Sequence, residues 1–600
     1  MELILQVFYS VFSGVMLAAA IPNEVYTFGA PYFTLIAFIP FYLVFYRIKN
    51  YKQAFLAGFC QTITTHLISS FWLAYFKDFA IFTLGASALG TACIGGFMSY
   101  LFYLPYSSSK ALNPLNEKSA GFDFSLNPAF RIVYFAGIYT IYEWVKSSGF
   151  LGYPWGTVSS AVFRWPVLMQ LSSITGTYGI TFFIVFLNAI LAEFFIYYYD
   201  KNKVSVYFSK RRKALSDCST LFSLLLALIL LHGLVQYNLP RKAEKKLTAI
   251  LVQQNQDPWK QSSDSESILK SEELTKEKLT ELSKEDKKAN LIIWSEGVLS
   301  RSFPYGESHY KRYPAEKPLI NFIRENKVPM LSGGSYLVDS EKRKIHNAAL
   351  VFDENGNFRG YYAKNHLVPF AEVIPFSEVP AVNSFLNKVV GISAGWTPGD
   401  QYVYFDIPAK PTENYRLPPV KNIDISKSIR QQEKEENEVV KVRICTPICY
   451  DDAFTDIMRP LFLNGAEVFL NITDDSWSLK NSSEIQHFVI ASYRAIEYRT
   501  TLVRCANAGY SVVVNPSGKV IDDLPLFEAA ALSVDIPIYK RRMTTYAKFG
   551  NWLPYSLIIL FLAYMTYSII SFNKSDYIPS ERKIKKSKKK SKKKNSKNKK

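Results

Sequence analysis

The sequence predicts a multi-pass α-helical membrane domain, with about eight transmembrane helices, joined to an extracytoplasmic α/β layered domain. Two observations carry this. Hydrophobic residues make up 48% of the 600 residues, high for a wholly soluble chain, and they fall in blocks. From about residue 247 the pattern changes to short apolar strands separated by helical stretches, the alternation of a layered α/β domain.

The apolar blocks cover 3–21, 31–46, 54–76, 79–106, 132–145, 174–199 and 221–237, and then 554–572. Each approaches the ~20 apolar residues a helix needs to cross ~30 Å of hydrocarbon; 132–145 is the shortest. Basic residues in the connecting loops set the orientation. Arg47, Lys49 and Lys52 follow the second block, Lys110, Lys118 and Arg131 the fourth, and Lys201, Lys203 and Lys210 to Lys213 the sixth. The opposite loops carry only Lys77, Lys146 and Arg164. Both termini are therefore expected in the cytoplasm and the long segment between blocks seven and eight outside. The first block lacks a basic start and is followed by more spans, so an uncleaved helix is favoured over a signal peptide. The expected domains are 1–240 in the membrane, 247–540 outside, a last span at 552–573 and a tail at 574–600.

The formal net charge of +19 suggests nucleic acid until it is located. Residues 574–600 hold fourteen Lys/Arg and two acids, so most of the excess sits in a low-complexity tail of the kind that stays disordered and solvated. It is read as a topology anchor facing anionic lipid, and no nucleic-acid partner is expected. The six cysteines form no disulfide framework, and the six scattered histidines with no CxxC give no metal site. No cofactor is expected.

In the outer domain, Thr248-Ala249-Ile250-Leu251-Val252-Gln253 reads as a buried strand, followed by a charged helical stretch from Ser263 to Asn290. Asn290-Leu291-Ile292-Ile293-Trp294 is a second strand that stops at Ser295-Glu296. Residues 348–352 and 361–364 form a hairpin around Glu354-Asn355-Gly356-Asn357. Residues 410–441 are charged, Pro-bearing and aperiodic, and read as a loop insertion. Val442-Arg443-Ile444-Cys445-Thr446-Pro447-Ile448 is a strand ending in a sharp turn at Cys449. Strands at 468–472, 501–506 and 511–514 and a helix from about Ser483 to Thr500 complete the pattern.

Three strand ends then carry one reactive group each: Glu296, Lys364 and Cys449. Chemistry in open α/β sheets collects at strand ends. A carboxylate can take a thiol proton, an ammonium can hold a thiolate and an oxyanion, and the thiol is the nucleophile. Singly, each has a bland reading: a capping acid, a snorkelling lysine, an inert core cysteine. Their joint placement at strand ends is what favours chemistry.

These residues resemble the nitrilase (carbon–nitrogen hydrolase) superfamily, and the membrane frame narrows the resemblance to the bacterial apolipoprotein N-acyltransferase family. Trp294-Ser295-Glu296 is similar to its Trp-Pro-Glu. Lys364-Asn365-His366-Leu367-Val368-Pro369-Phe370-Ala371-Glu372 resembles Lys-x-His-Leu-Val-Pro-Phe-Gly-Glu. Ile448-Cys449-Tyr450-Asp451 resembles Ile-Cys-Tyr-Glu, and Asn471-Ile472-Thr473-Asp474-Asp475-Ser476-Trp477 resembles Asn-x-x-Asn-Asp-x-Trp. In the membrane part, Glu143-Trp144 with Gly149-Phe150 and Pro154-Trp155 is similar to the segment near the family's substrate entrance. Departures from these motifs include Ser295 for Pro, Ala371 for Gly and Asp451 for Glu.

The resemblance implies an αββα nitrilase-like sandwich, a Glu296-Lys364-Cys449 triad, and ping-pong acyl transfer from a membrane phospholipid to the α-amine of a diacylated apolipoprotein. It implies a monomer in the bacterial inner membrane with the catalytic domain facing the periplasm. Glu372 is expected to orient Lys364 or to shield the acyl-enzyme, Tyr450 and Trp477 to line the acyl pocket or simply to pack, and Asp451 to stand beside Cys449 in place of the family's Glu. His366 is a competing base, with a structural hydrogen bond preferred. Cys445 reads as core. Two other functions fit less of the chain: a membrane-anchored nitrilase-type amidase, which water would resolve, and a non-catalytic lipoprotein-binding protein, which would tolerate loss of Cys449.

Overall fold

The computed structural model describes residues 1–76, 81–107, 127–199, 206–260, 264–342, 344–373, 379–380, 384, 395–416, 439–567 and 570. The expected tail at 574–600, the basic loop residues Lys77, Lys110, Lys118, Lys201 and Lys203, and most of the expected insertion lie outside them.

A helix occupies each apolar block. Glu2–Ala20, Thr83–Tyr106, Thr177–Tyr199 and Arg211–Asn238 are long and apolar enough to cross a membrane, while Pro31–Phe45 and Trp552–Tyr567 are apolar but shorter. Tyr51–Ser69 and Pro128–Lys146 each run 19 residues but are more polar. Gln61, Thr62, Thr65 and His66 on the first, and Arg131 and Glu143 on the second, are buried inside the bundle, where intramembrane polar groups find partners. Asparagine side chains start both helices: Asn50 accepts from the Gln53 N–H and Asn127 from the Ala129 N–H. Small residues let helices touch: a Cβ on Gly58 would lie 2.4 Å from the Gly95 carbonyl oxygen, the close approach typical of membrane helix pairs.

The α/β domain is four layers deep. One sheet holds β1 (Ala243–Gln253), β2 (Leu291–Trp294), β3 (Met330–Asp339), β4 (Lys344–Phe352) and β5 (Phe358–Ala363). The other holds β6 (Phe405–Pro408), β8 (Lys441–Cys445), β9 (Val468–Thr473), β10 (Thr501–Ala506), β11 (Val512–Val514) and β12 (Val520–Asp523), while β7 (Lys410–Pro411) and β13 (Ala530–Tyr539) both pair with β1. Side-chain alternation explains the layering. On β1, Leu247, Ala249 and Leu251 face the second sheet and pack with Val442, Ile444, Val468 and Leu470. Ile250 and Val252 point the other way, toward Ile268 and Leu274 of the Asp264–Lys284 helix and Leu319 to Ile323 of the Leu319–Asn326 helix. Helices Thr455–Leu463 and Asn481–Tyr498 cover the second sheet. This is the αββα sandwich that the resemblance implied.

Two features differ from the sequence reading. Lys410 and Pro411, expected in a loop insertion, pair with Lys246 and Lys245. The reason is an open edge: β2 pairs β1 only from Ala249 to Val252, leaving the start of β1 free on that side. Strands β6, β12 and β13 were also not anticipated. β13 alternates buried and half-exposed residues with a proline inside it, a weak strand signal, yet it runs antiparallel along β1 from Ala243 to Gln253.

Helices 2–238 and the sandwich belong to one compact unit, Met1–Gly550. Gln486 of the Asn481–Tyr498 helix fastens them: its amide donates to the Pro22 and Ser69 carbonyls (2.5 and 2.6 Å) and its oxygen accepts from the Trp72 indole (3.3 Å). The second unit begins at Asn551 and carries the Trp552–Tyr567 helix.

Candidate active site

Cys449 closes the strand β8 by a sharp bend. Ile448 still bridges to Ile472 of β9, and the chain then turns into a short 3-10 helix, Cys449–Ala453. Cys449 itself sits at φ +46°, a strained conformation for a residue with a Cβ and one found at functional turns. The turn is held from below by Asn471, whose amide donates to the Cys449 carbonyl (3.1 Å).

Glu296 follows β2 and Lys364 follows β5, and the ends of these two strands of one sheet bring them together. The Lys364 ammonium, 1% exposed, lies 3.2 Å from Glu296 Oε1 and 2.8 Å from Glu372 Oε1. Glu296 is held at both oxygens, by the Asn347 amide (2.7 Å) and by the Asp474 backbone N–H (2.8 Å). Glu372 takes a second amide bond from Asn347 (3.2 Å) and the Val368 N–H (2.8 Å). One ammonium thus faces two carboxylates whose positions are fixed by other donors.

The charges of these groups act on one another. Burial would lower the Lys364 ammonium, but Cys449, Glu296 and Glu372 outweigh it and hold its pKa well above the usual value. Burial raises Glu296, with Glu372 adding and Lys364 opposing. An upward shift brings a carboxylate closer to the range of an effective base near neutrality. Burial pushes the Cys449 thiol well up, and Lys364 is the group that opposes this. The resting sulfur is therefore a thiol, and it would need a base in order to act as a nucleophile.

The supporting residues have definite places. Asp451 is a cross-brace: its carboxylate accepts from the Tyr362 hydroxyl (2.9 Å), the His366 N–H (2.8 Å) and the Ile448 N–H (3.1 Å). It ties the Lys364 segment to the Cys449 turn, and burial lifts its pKa to about 7. Tyr450 reaches the membrane half, donating to the Gly152 carbonyl (2.7 Å) and stacking on Trp155 (5.2 Å, 13°). The His366 imidazole stacks on Phe454 (3.7 Å) and burial holds it below its usual range. Trp477 is 42% exposed and packs edge-on against Trp259 (5.5 Å). Cys445 and Cys505 are fully buried.

Three members of the site were missed in the sequence. Asn347, the only polar residue in the run Asn347-Ala348-Ala349-Leu350-Val351-Phe352, carried a signal in that interruption. Asp475 belongs to the Asn471–Trp477 motif, which by itself gives it no role; the Cys449 thiol donates to its Oδ1 (3.8 Å). His487 had no signal. Ligand atoms of Cys449, Asp475 and His487 lie within 4.8 Å of one another, a grouping that could suggest a metal. Both His487 nitrogens are taken, by Asp475 Oδ1 (2.6 Å) and Asp452 Oδ1 (2.9 Å), so the imidazole has no lone pair to offer an ion.

Comparison with known proteins fits both halves. Residues 248–545 match the carbon–nitrogen hydrolase family and residues 13–190 the apolipoprotein N-acyltransferase N-terminal domain. The chain is 35% identical to apolipoprotein N-acyltransferase 2 of Treponema denticola, over 94% of this chain and 97% of that protein. It belongs to the apolipoprotein N-acyltransferase family. Apolipoprotein N-acyltransferase 2 of Treponema pallidum is 32% identical and the apolipoprotein N-acyltransferase of Borreliella burgdorferi 28% identical, each over 92% of this chain and 93% of the relative. Family membership accounts for the hydrolase-type sandwich being fused to apolar helices rather than standing alone.

Proposed function

We propose that this chain completes lipoprotein maturation by moving an acyl chain from a membrane phospholipid to the α-amine of the diacylglyceryl-cysteine of an apolipoprotein. Glu296, Lys364 and Cys449 are the catalytic residues. The observation that supports this best is the meeting of the Lys364 ammonium with Glu296 beside a strained Cys449, on a turn bonded through Tyr450 to a loop of the helical half.

Glu296 takes the thiol proton as Cys449 Sγ attacks the donor ester carbonyl. Lys364 and a backbone N–H after Cys449 hold the oxyanion, and a donor of that kind is worth ~3 kcal/mol of barrier. The intermediate collapses, the lysophospholipid oxygen leaves with the proton from Glu296, and Cys449 keeps a thioester. The acceptor amine attacks that carbonyl and gives its proton to Glu296. The second intermediate then expels the thiolate, which recovers the proton, and an amide is formed. Glu372 orients Lys364, Asp451 braces the turn, and Trp477 lies at the exposed rim. No cofactor enters the scheme. Both substrates carry acyl chains costing ~0.8 kcal/mol per CH₂ to expose to water, which favours a site against the bilayer. In this reading eight helices cross the bacterial inner membrane, both termini are cytoplasmic, the sandwich faces the periplasm, and the protein acts as a monomer.

Incubation with phospholipid and a diacylated lipopeptide should add the mass of one acyl chain to the peptide. Fatty acid release without that gain would support the amidase-type reading, in which water resolves the acyl-enzyme.

A further inference from the structure

Beside the nucleophile lies a closed circuit of four buried charged groups that the scheme above does not use. Asp475 Oδ1 accepts from His487 Nδ1 (2.6 Å) and Thr473 Oγ1 (2.8 Å), and Asp475 Oδ2 from Arg504 (2.7 Å). Asp452 Oδ1 accepts from His487 Nε2 (2.9 Å), and Asp452 Oδ2 is in close contact with the Arg504 guanidinium. Each cation bridges both carboxylates, and each carboxylate bridges both cations. Arg504, Asp452 and Asp475 are 1%, 0% and 7% exposed at their side chains and His487 6%.

The geometry fixes the charge of the imidazole. Both ring nitrogens face ionised carboxylates, which only accept, and a neutral histidine has a single N–H. The circuit is complete only with imidazolium. Its electrostatics agree: burial would lower His487, but Asp475 and Asp452 outweigh it and raise it to about 9. With His487 protonated the four groups sum to zero, two carboxylates against two cations.

This circuit touches the sulfur. The Cys449 thiol donates to Asp475 Oδ1, the oxygen shared with His487. Asp452 is in the same short helix as Cys449. We propose that the Asp452–His487–Asp475–Arg504 ring is a charge-balanced support for the nucleophile, with His487 a positioning residue whose proton keeps the carboxylate beside Cys449 neutralised as the sulfur ionises. The proposal rests on Cys449 being the nucleophile.

The other charged and titratable groups around His487 do not supply that balance. On its own helix Glu484 is buried, its carboxyl oxygens have no hydrogen-bond partner among the described residues, and burial with Asp475 and Asp474 holds its pKa well up, so it is neutral. The membrane-side loop contributes the Trp155 indole (5.7 Å), whose own carbonyl takes the Lys146 ammonium (2.7 Å). Lys364 is committed to Glu296 and Glu372. Loss of the His487 proton would leave an uncompensated negative charge one contact from the sulfur.

The test is the pH dependence of Cys449 alkylation by iodoacetamide in the full chain, read by mass on the Cys449 peptide. His487→Gln should move the midpoint upward by about one unit, a roughly tenfold slower reaction at a pH below it. Asp475→Asn, which removes the negative member, should move it downward. A merely structural role would slow or speed both variants alike and leave the midpoints together, and that result overturns the proposal. Should either variant fail to fold, the parent still decides: its own profile should be broader than a single-proton curve, because His487 titrates with the thiol. A sharp one-proton profile overturns it. Opposite shifts in alkylation with Cys449→Ala still active in acyl transfer would keep the ring and refute Cys449 as the acyl carrier.

Discussion

Glu296 can perform its role only if the turn after β2 lies hard against β3, and Gly333 is what permits this. A Cβ on Gly333 would fall 2.4 Å from the Glu296 Cα, 2.5 Å from the Ser295 carbonyl oxygen and 2.6 Å from the Gly297 nitrogen. All three are backbone atoms, and none can rotate away. Ordinary contact begins near 3.4 Å, so Gly333→Ala must push the Glu296 turn by roughly 1 Å. The Glu296 carboxyl bonds of 2.7, 2.8 and 3.2 Å cannot all survive that. Displacements of ~1 Å at a reacting group cost about 10²-fold in rate, and overpacking costs about 1–3 kcal/mol of stability. Gly334→Ala is the milder control: its Cβ would meet the end of the Leu350 side chain (2.7 Å), which can rotate away, and the Leu299 Cβ and carbonyl oxygen at 3.2 and 3.3 Å, which need give by only a few tenths of an ångström. The assay is kcat for acyl transfer to a diacylated lipopeptide in proteoliposomes, beside a thermal melt. A Gly333→Ala enzyme within about threefold of the parent, or a Gly334→Ala enzyme equally impaired, would refute the reasoning.

Other outcomes follow from single contacts. Lys364→Met removes the proposed oxyanion donor and leaves Glu296 and Glu372 facing each other, so acyl-enzyme formation should fall by at least ~10²-fold with the protein still folded by circular dichroism; an effect below tenfold contradicts the proposed role. Tyr450→Phe keeps the stack on Trp155 and loses only the bond to the Gly152 carbonyl, which should cost about 1 kcal/mol of stability, seen as a small drop in the melting midpoint. His487 is raised from 6.5 to about 9 in the folded protein. Its contribution is therefore fully present below about pH 6.5 and is lost as pH rises through about 9, on the order of 3 kcal/mol. The melting midpoint should decline between pH 7 and 9.5, and His487→Gln should flatten that decline.

Much of this was legible in the chain. The strands ending at Glu296, Lys364 and Cys449 could be read because each apolar run stops abruptly at a reactive residue. Helical segments could be read because hydrophobic blocks have a length set by the bilayer. Asn347, Asp475 and His487 were not given roles, since a hydrogen-bond circuit joining residues 452, 475, 487 and 504 depends on how β8, β9, β10 and one helix stack, which no local pattern encodes. The pairing of Lys410 and Pro411 with β1 was hidden for a related reason: two residues form no period, and only the free start of β1 creates their partner. Asp451 was noticed as a departure from Glu, but its use as a brace between the Lys364 segment and the Cys449 turn is a property of packing.

The central claim is that the sulfur of Cys449 carries the acyl chain between two lipids. Mass spectrometry of the full chain incubated with phospholipid alone tests it most directly. The account predicts one acyl adduct on the peptide bearing Cys449, removed by hydroxylamine. An adduct on Cys445 or Cys505, or transfer to lipopeptide by a Cys449→Ala protein, would contradict it.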